Sequence, residues 1–206
     1  MTREPEAEAG LRARLIEAGV DLVHAEGAQA LSLREIARRA GVSHGAPRRY
    51  FPTHLDLLSA IARQGFAELA ARVADAAGPG QGPDDDPRAR LHALARVYLD
   101  FALNRRGMYE LMFRHDLLES GRLGLRETSL PLFELLTGLV AHARPAADDA
   151  GAAQPSDVAG ALWANLHGIA QLWGWGSLQL ATGTHEVEPL LRAAVDAHLG
   201  PAERVR

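Results

Sequence analysis

Cysteine and lysine are both absent from this chain of 206 residues. The lack of cysteine excludes disulfides, thiolate metal sites and a cysteine nucleophile, and it agrees with a reducing cytosol. The lack of lysine means that all 22 basic residues are arginine, the pattern of a GC-rich genome. Every surface cation other than histidine is then a planar fork suited to phosphate and guanine. Long apolar runs are missing too, since none approaches the roughly 18 residues that a membrane-spanning helix needs. The first ten residues are acidic, not a basic stretch followed by an apolar one. The protein therefore reads as cytoplasmic, with no membrane partner.

What is present favours helix. Hydrophobic residues make up 47% and charged ones 23%, a globular balance, while Ala, Leu, Arg and Glu are abundant and aromatics reach only 5%. The fold class expected is all-α. The formal net charge is −4, but it is unevenly spread. Between Ser32 and Asp56 stand Arg34, Arg38, Arg39, Arg48 and Arg49 against Glu35 and Asp56, a local +3 that leaves −7 elsewhere. A basic patch on an acidic body is the footprint of a nucleic-acid-binding module joined to a larger domain.

Breaks in helical pattern fall at 78–87 (GPGQGPDDDP) and 144–155 (RPAADDAGAAQP), both dense in Gly, Pro and Asp. Before the first break, Leu11, Leu15, Ala18, Leu22 and Ala25 recur at three- and four-residue steps, predicting an amphipathic helix that ends near Gly27. Ser32-Leu33-Arg34-Glu35 has the form of a capping box, so a short helix should begin at Leu33 and stop at Gly41. Ser43 is the expected cap of a second short helix ending near Tyr50-Phe51. Thr53-His54-Leu55-Asp56 offers a third cap before a long helix over Leu55 to Ala76. Two short helices around a Gly-containing turn, framed by longer ones, form the helix-turn-helix pattern. Further helices are expected at about Pro87–Asn104, Met108–Arg114, Leu125–Ala143, Ser156–Leu180 and Val187–Leu199.

The stretch Leu15 to Leu58 resembles the TetR family of transcription regulators over its full span. The resemblance rests on Ala25-Glu26-Gly27, Leu31 through Ala37, Ala40-Gly41-Val42-Ser43-His44-Gly45, Tyr50-Phe51 and Leu57-Leu58, in that order and spacing. Met108 to Phe113 and Trp163-Ala164-Asn165-Leu166-His167-Gly168 are similar to a branch whose second domain carries a Trp-x-x-x-His-Gly motif. The chain departs from the pattern in having Pro47-Arg48 where an apolar residue and Tyr are usual, and His54 where Lys is usual. If Ser43 is the cap, Pro47 is the fourth helical residue, where its missing N–H should delay the helix start. An imidazole at 54 is mostly uncharged at neutral pH and weakens one phosphate contact.

The resemblance implies a helix-turn-helix domain over 1–54, a connecting helix over 55–77 and a helical effector-binding and dimerisation domain over 78–206. It also implies a homodimer, a double-stranded DNA operator and a small-molecule effector as partners. In a helix-turn-helix the second short helix enters the major groove while the first crosses the backbone. His44, Ala46, Arg48 and Arg49 are thus candidates for base edges, and Arg34, Ser43, Tyr50 and His54 for phosphates, together with the amides opening the next helix. A solvated surface role for Arg48 or Arg49 alone stays open. Ile36, Ala37, Val42, Phe51 and Leu58 have the spacing of core.

In the second domain Gly160, Ala164 and Gly168 make a small-residue stripe. It suits either a dimer interface with the helix over Val187–Leu199 or close packing inside one subunit. Tyr98, Phe101, Tyr109, Met112, Phe113, Trp163, His167 and Trp173 are candidates for an apolar effector pocket with a few polar tips; each alone reads more readily as core, and their clustering is what favours the pocket.

No cofactor or metal site is expected and no enzyme is read. His115-Asp116 lacks a second His-Asp pair, and the sequence holds neither His-Glu-x-x-His nor Gly-x-Ser-x-Gly. Asp84-Asp85-Asp86 lacks the spacing of a calcium loop. The alternative from another class is an architectural DNA-binding protein with no effector, whose second domain only dimerises.

Overall fold

The computed structural model describes residues 3–77, 86–119, 121, 124–144 and 153–200, and among them there is no strand. The expected all-α class is what is observed. Twelve helices follow one another among the described residues: α1 (Arg3–Glu26), α2 (Leu33–Arg39), α3 (Ala46–Tyr50), α4 (His54–Ala77), α5 (Pro87–Asn104), α6 (Arg106–Met112), α7 (His115–Glu119), α8 (Leu125–Thr128), α9 (Leu130–Ala143), α10 (Pro155–Gly174), α11 (Ser177–Thr182) and α12 (Glu188–Leu199). A 3-10 turn over Ala28–Ala30 links α1 to α2. Most of the two predicted breaks, residues 78–85 and 145–152, lies outside the described residues, as do Asp84, Asp85 and the side chain of His115.

The helices divide into two compact units. One comprises Met1–Glu68 with Arg105–Thr128, the other Leu69–Asn104 with Ser129–Arg206. The long helix α4 starts in the first unit and ends in the second.

In the first unit the stripe on α1 buries Leu15, Ala18 and Leu22, with Ile16 and Val23 beside them; Ala25 is exposed. These face Ile36 and Ala37 of α2, Phe51 after α3, and Leu57, Leu58 and Ile61 of α4, all buried. Val42 is half-buried. Burial of each large apolar side chain contributes about 1.5–3 kcal/mol. Helix α6 packs against α1 and the 3-10 turn. The Arg105 guanidinium ties this corner together, donating to Glu68 Oε1 at 3.0 Å and to His24 Nδ1 at 3.2 Å. Burial, followed by the nearby Arg105 charge, holds the His24 pKa below its ordinary value, which keeps Nδ1 an acceptor.

In the second unit α5, α9, α10 and α12 pack on one another. Leu91, Leu94, Leu99, Phe101, Val140, Leu162, Leu166, Leu191 and Val195 fill the interior. Two expected helices are interrupted. Leu125–Ala143 divides at Ser129, because Pro131 stands in the first turn of α9 and its ring would clash with the carbonyl four residues back. Ser156–Leu180 divides at Gly176, whose φ of 77° is the left-handed conformation that ends α10.

Gly107 in α6 lies so close to α1 that a Cβ there would stand 2.7 Å from the Val23 carbonyl oxygen and 3.1 Å from Gly27 Cα. Both neighbours are backbone and cannot rotate away. Gly107→Ala is expected to destabilise the protein by about 1–3 kcal/mol, read as a lowered Tm by circular dichroism. Gly138→Ala, which meets nothing within 4 Å, should leave Tm unchanged or raise it.

Candidate nucleic-acid interface

The turn between α2 and α3 is built by local hydrogen bonding. Ser32 caps α2, its hydroxyl accepting from the Glu35 amide at 3.2 Å. The other half of the expected box is not made. Instead the Glu35 carboxylate takes Arg38 Nε on one oxygen and Arg39 Nε on the other, each at 2.9 Å, because guanidinium donors outcompete an amide for a carboxylate. Arg39 also pairs with Glu26 of α1. Gly41 then turns the chain at φ 67°, and the Val42 amide returns to the Ala37 carbonyl at 3.0 Å.

Helix α3 begins late, as Pro47 requires. Its first residue is Ala46, its cap is Gly45, and Pro47 sits buried in the first turn, where no intrahelical N–H is needed. The expected capping by the Ser43 side chain is therefore corrected: Ser43 contributes its carbonyl, which accepts from the Ala46 amide at 3.0 Å. With α3 starting two residues later than a Ser43 cap would set it, His44 stands in the turn and not on the helix.

Charge follows from these contacts. Arg38 and Arg39 are engaged with acids, and their hydrogen bonds hold the Glu35 pKa down at about 2. Arg34, Arg48 and Arg49 are exposed and have no hydrogen-bond or ion-pair partner among the described residues. The positive surface of this segment is thus carried by those three. His44, Ser43 and His54 are exposed, and Ala46 and Tyr50 are half-buried.

The opening of α4 has a complete reciprocal cap. Asp56 accepts from the Thr53 amide at 2.9 Å and from its hydroxyl at 2.7 Å, and the Thr53 hydroxyl accepts from the Asp56 amide at 3.1 Å. Of the amides expected here to meet a phosphate, Thr53 and Asp56 are engaged. Those of His54 and Leu55, at the first two positions, have no intrahelical acceptor.

In the second unit three of the eight pocket candidates meet. Trp163 Nε1 donates to Tyr98 Oη at 3.2 Å, and Tyr98 Oη lies 3.0 Å from His167 Nδ1. The Trp163 ring stands edge-on to His167 at 6.3 Å and to Phe133 at 6.4 Å. Phe133 was not among the sequence candidates, since α9 and α10 come together only in the fold. Burial lowers the His167 pKa from its ordinary value, so the ring is neutral at neutral pH.

The other five candidates lie elsewhere. Phe101 is fully buried beneath the Arg72 guanidinium, 5.6 Å from its ring centre, and Trp173 is half-buried. Tyr109, Met112 and Phe113 belong to the first unit, where Phe113 packs on Tyr109 and Phe66 and Met112 covers Gly65.

The α10 stripe is not covered by any of the described residues. A Cβ at Gly160 or Gly168 would meet nothing within 4 Å, and Ala164 is exposed. Ala161 and Leu172 are exposed on the same side of α10, and Trp175 follows it with 63% exposure. On α12, Pro189, Ala193 and Ala197 are exposed at four-residue steps. This helix is held to α5 near both ends, by Arg96 with Glu188 and by Arg88, which bonds the Gly200 carbonyl, with His92 at 3.3 Å from Asp196. Among the described residues no group of His, Cys, Asp and Glu is arranged to hold a metal ion, and no helix is long and apolar enough to cross a membrane.

Comparison with known proteins agrees with this geometry. Residues 15–61 match the family model described as bacterial regulatory proteins, tetR family, and residues 91–198 match the tetracyclin repressor-like C-terminal domain. A solved protein of unknown function from Rhodococcus sp. RHA1 is similar at 30% identity, with 92% of this chain and 93% of that one covered and a TM-score of 0.65. A TetR-like transcriptional regulator from the same organism has the same fold at 19% identity, with 92% and 94% covered and a TM-score of 0.64. The multidrug binding protein EbrR, complexed with imidazole, is similar at 28% identity, with 93% and 91% covered and a TM-score of 0.58. No curated protein matches the chain significantly.

The Glu35 pairing predicts a pH dependence. Its folded pKa is lowered from 4.5 to about 2, so the pairing's contribution to stability is complete above pH 4.5 and is lost as pH falls towards 2. An NMR titration of the side-chain carboxyl carbons should find Glu35 with a midpoint near 2. Arg38→Ala should move that midpoint back towards the ordinary value.

Proposed function

Because the chain belongs to the TetR family of bacterial regulatory proteins, we propose that it is a ligand-responsive repressor that binds a palindromic operator as a homodimer. It is a transcription regulator and not an enzyme, as its family and fold neighbours are. The observation that carries the DNA-binding reading is the division of its arginines. Arg38 and Arg39 are engaged internally, whereas Arg48 and Arg49 are exposed and unpaired on the second helix of the pair. There they read base edges in the major groove with His44 and Ala46. Arg34, Ser43, Tyr50, His54 and the amides of His54 and Leu55 hold phosphates. The protein acts in the cytoplasm, where it occludes polymerase.

A palindrome requires two copies, with recognition helices about 34 Å apart in successive major grooves. The uncovered small residues of α10 and α12 support dimerisation through a four-helix arrangement of those two helices from each copy. Small side chains let the axes approach, and exposed Leu172 and Trp175 supply apolar area around them.

The effector site is read at Tyr98, Trp163 and His167, where two ring faces and a neutral imidazole surround a linked set of donors and acceptors. Such a set suits a small, largely apolar molecule with one or two polar atoms. The likeness to a multidrug binding protein supports this ligand class. Release follows if the effector binds better to a state with lower operator affinity, since the two binding equilibria are then linked.

Duplexes selected from a random library by the purified protein should share an inverted repeat, with two chains bound per duplex. Arg48→Ala or Arg49→Ala should weaken binding to that repeat about 5- to 150-fold. Enrichment of no sequence overturns the proposal. A compound that releases the repeat should change tryptophan fluorescence in the wild type and do so far less in Trp163→Phe; an equal response in both removes this cluster from the effector site.

A further inference from the structure

Helix α1 carries two arginines on the turn that precedes its buried stripe, and they are treated differently. Arg14 is engaged, its guanidinium donating to the Ala40 carbonyl at the end of α2 at 2.6 Å. Arg12 makes no hydrogen bond or ion pair among the described residues and is exposed. Yet it is held in place. Its guanidinium carbon lies 5.3 Å from the centre of the Phe51 ring, within the range of a cation–π contact. Phe51 immediately follows α3 and is only 2% exposed, so the ring is a fixed platform.

The position of that platform matters. Helix α3 has five residues, a length of about 7.5 Å, so it offers few side chains to a DNA groove. A sugar–phosphate strand borders the major groove on each side of a helix lying in it. Arg12 adds an exposed cation beside the residue that ends this helix. A ring contact takes up no hydrogen-bond acceptor, and the guanidinium N–H groups are the ones that make bidentate bonds to phosphate.

We infer that Arg12 is a DNA-backbone anchor, a phosphate contact contributed by α1 from outside the helix-turn-helix and positioned by Phe51. The inference rests on the reading of α2 and α3 as the DNA-binding element. It assigns Arg12 no base: the residue clamps one strand and sets the angle at which Arg48 and Arg49 enter the groove.

The test separates this role from simple coverage of Phe51. Arg12→Met keeps an apolar cover on the ring and removes the charge; Arg12→Gln keeps a planar amide and serves if the Met variant melts early. Binding of each variant and of Arg12→Lys is measured against salt concentration, on the selected operator duplex and on an unrelated duplex of equal length. Each neutralised phosphate contributes about 0.9 to the slope of log affinity against log salt. With two Arg12 per dimer, the slope should fall by about 1.8 for Arg12→Met, by the same amount on both duplexes, with Tm unchanged. Arg12→Lys should restore it. An unchanged slope makes Arg12 a packing residue and overturns the inference. So does a loss confined to the operator, which marks a base contact. A wild type that binds no duplex at all overturns the DNA-binding reading itself, and this inference with it.

Discussion

Helices of seven and five residues have no stability of their own in water, so everything functional in the first unit depends on the apolar contact that holds α2 and α3 in place. Ile36 and Ala37 are fully buried, and Phe51 closes the far side of α3. Leu15 and Leu22 of α1 and Leu57, Leu58 and Ile61 of α4 form the surface they rest on. The five residues of α3 contribute little binding energy of their own to the core. They are displayed by it. On the proposed reading, a rigid platform is what lets the exposed arginines meet fixed base edges without losing entropy at the moment of binding.

Polar contacts then decide which charges remain available. The segment from Ser32 to Asp56 has an excess of three positive charges, and a simple count treats all five arginines alike. Geometry does not. Glu35 lies three residues before Arg38 and four before Arg39, the spacings that bring side chains together on a helix, and it holds both. Arg48 and Arg49 have no acid at those spacings. Asp56 is six residues past the end of the arginine pair's own helix and is occupied with Thr53. The charge that faces outward is therefore concentrated on α3 and at Arg34, and the rest stabilises the platform.

Local signals in the sequence were legible where the chemistry is local. Ser32 and Thr53 cap as expected, Gly41 turns the chain with positive φ, and Pro87–Asn104 spans the helix seen. The late start of α3 was legible from Pro47, because a missing N–H has only one comfortable place in a helix. Ser43 misled for a related reason: it has the chemistry of a cap, but the proline moved the helix start beyond its reach. Interruptions at Pro131 and Gly176 were passed over because apolar periodicity continues across them. Periodicity reports which face is buried and not whether the backbone is continuous. Tertiary neighbours were not legible at all. Tyr109, Met112 and Phe113 look like Tyr98 and Trp163 in composition, and only the return of the chain at Arg105 puts them in the first unit. Phe133 reaches Trp163 from a different helix, with no signal in either segment.

The absence of lysine gives these contacts a common character. An ammonium is a point charge that water hydrates strongly, whereas a guanidinium has two flat faces and a fork of donors. The chain uses both features at once. Arg12 and Arg72 lie over phenylalanine rings, while Arg38, Arg96 and Arg114 each grip one carboxylate through two nitrogens. Arg105 bridges an acid and a neutral imidazole. In each carboxylate pair direction matters as much as charge, so a change from arginine to lysine there would keep the net charge and lose the geometry. The same logic extends to the residues proposed to face DNA. A surface whose free cations are all guanidinium forks favours paired acceptors, phosphate oxygens along the backbone and the O6 and N7 of guanine in the groove. Selectivity among DNA sites then comes from where the forks are held, which returns the argument to the buried contacts beneath α2 and α3.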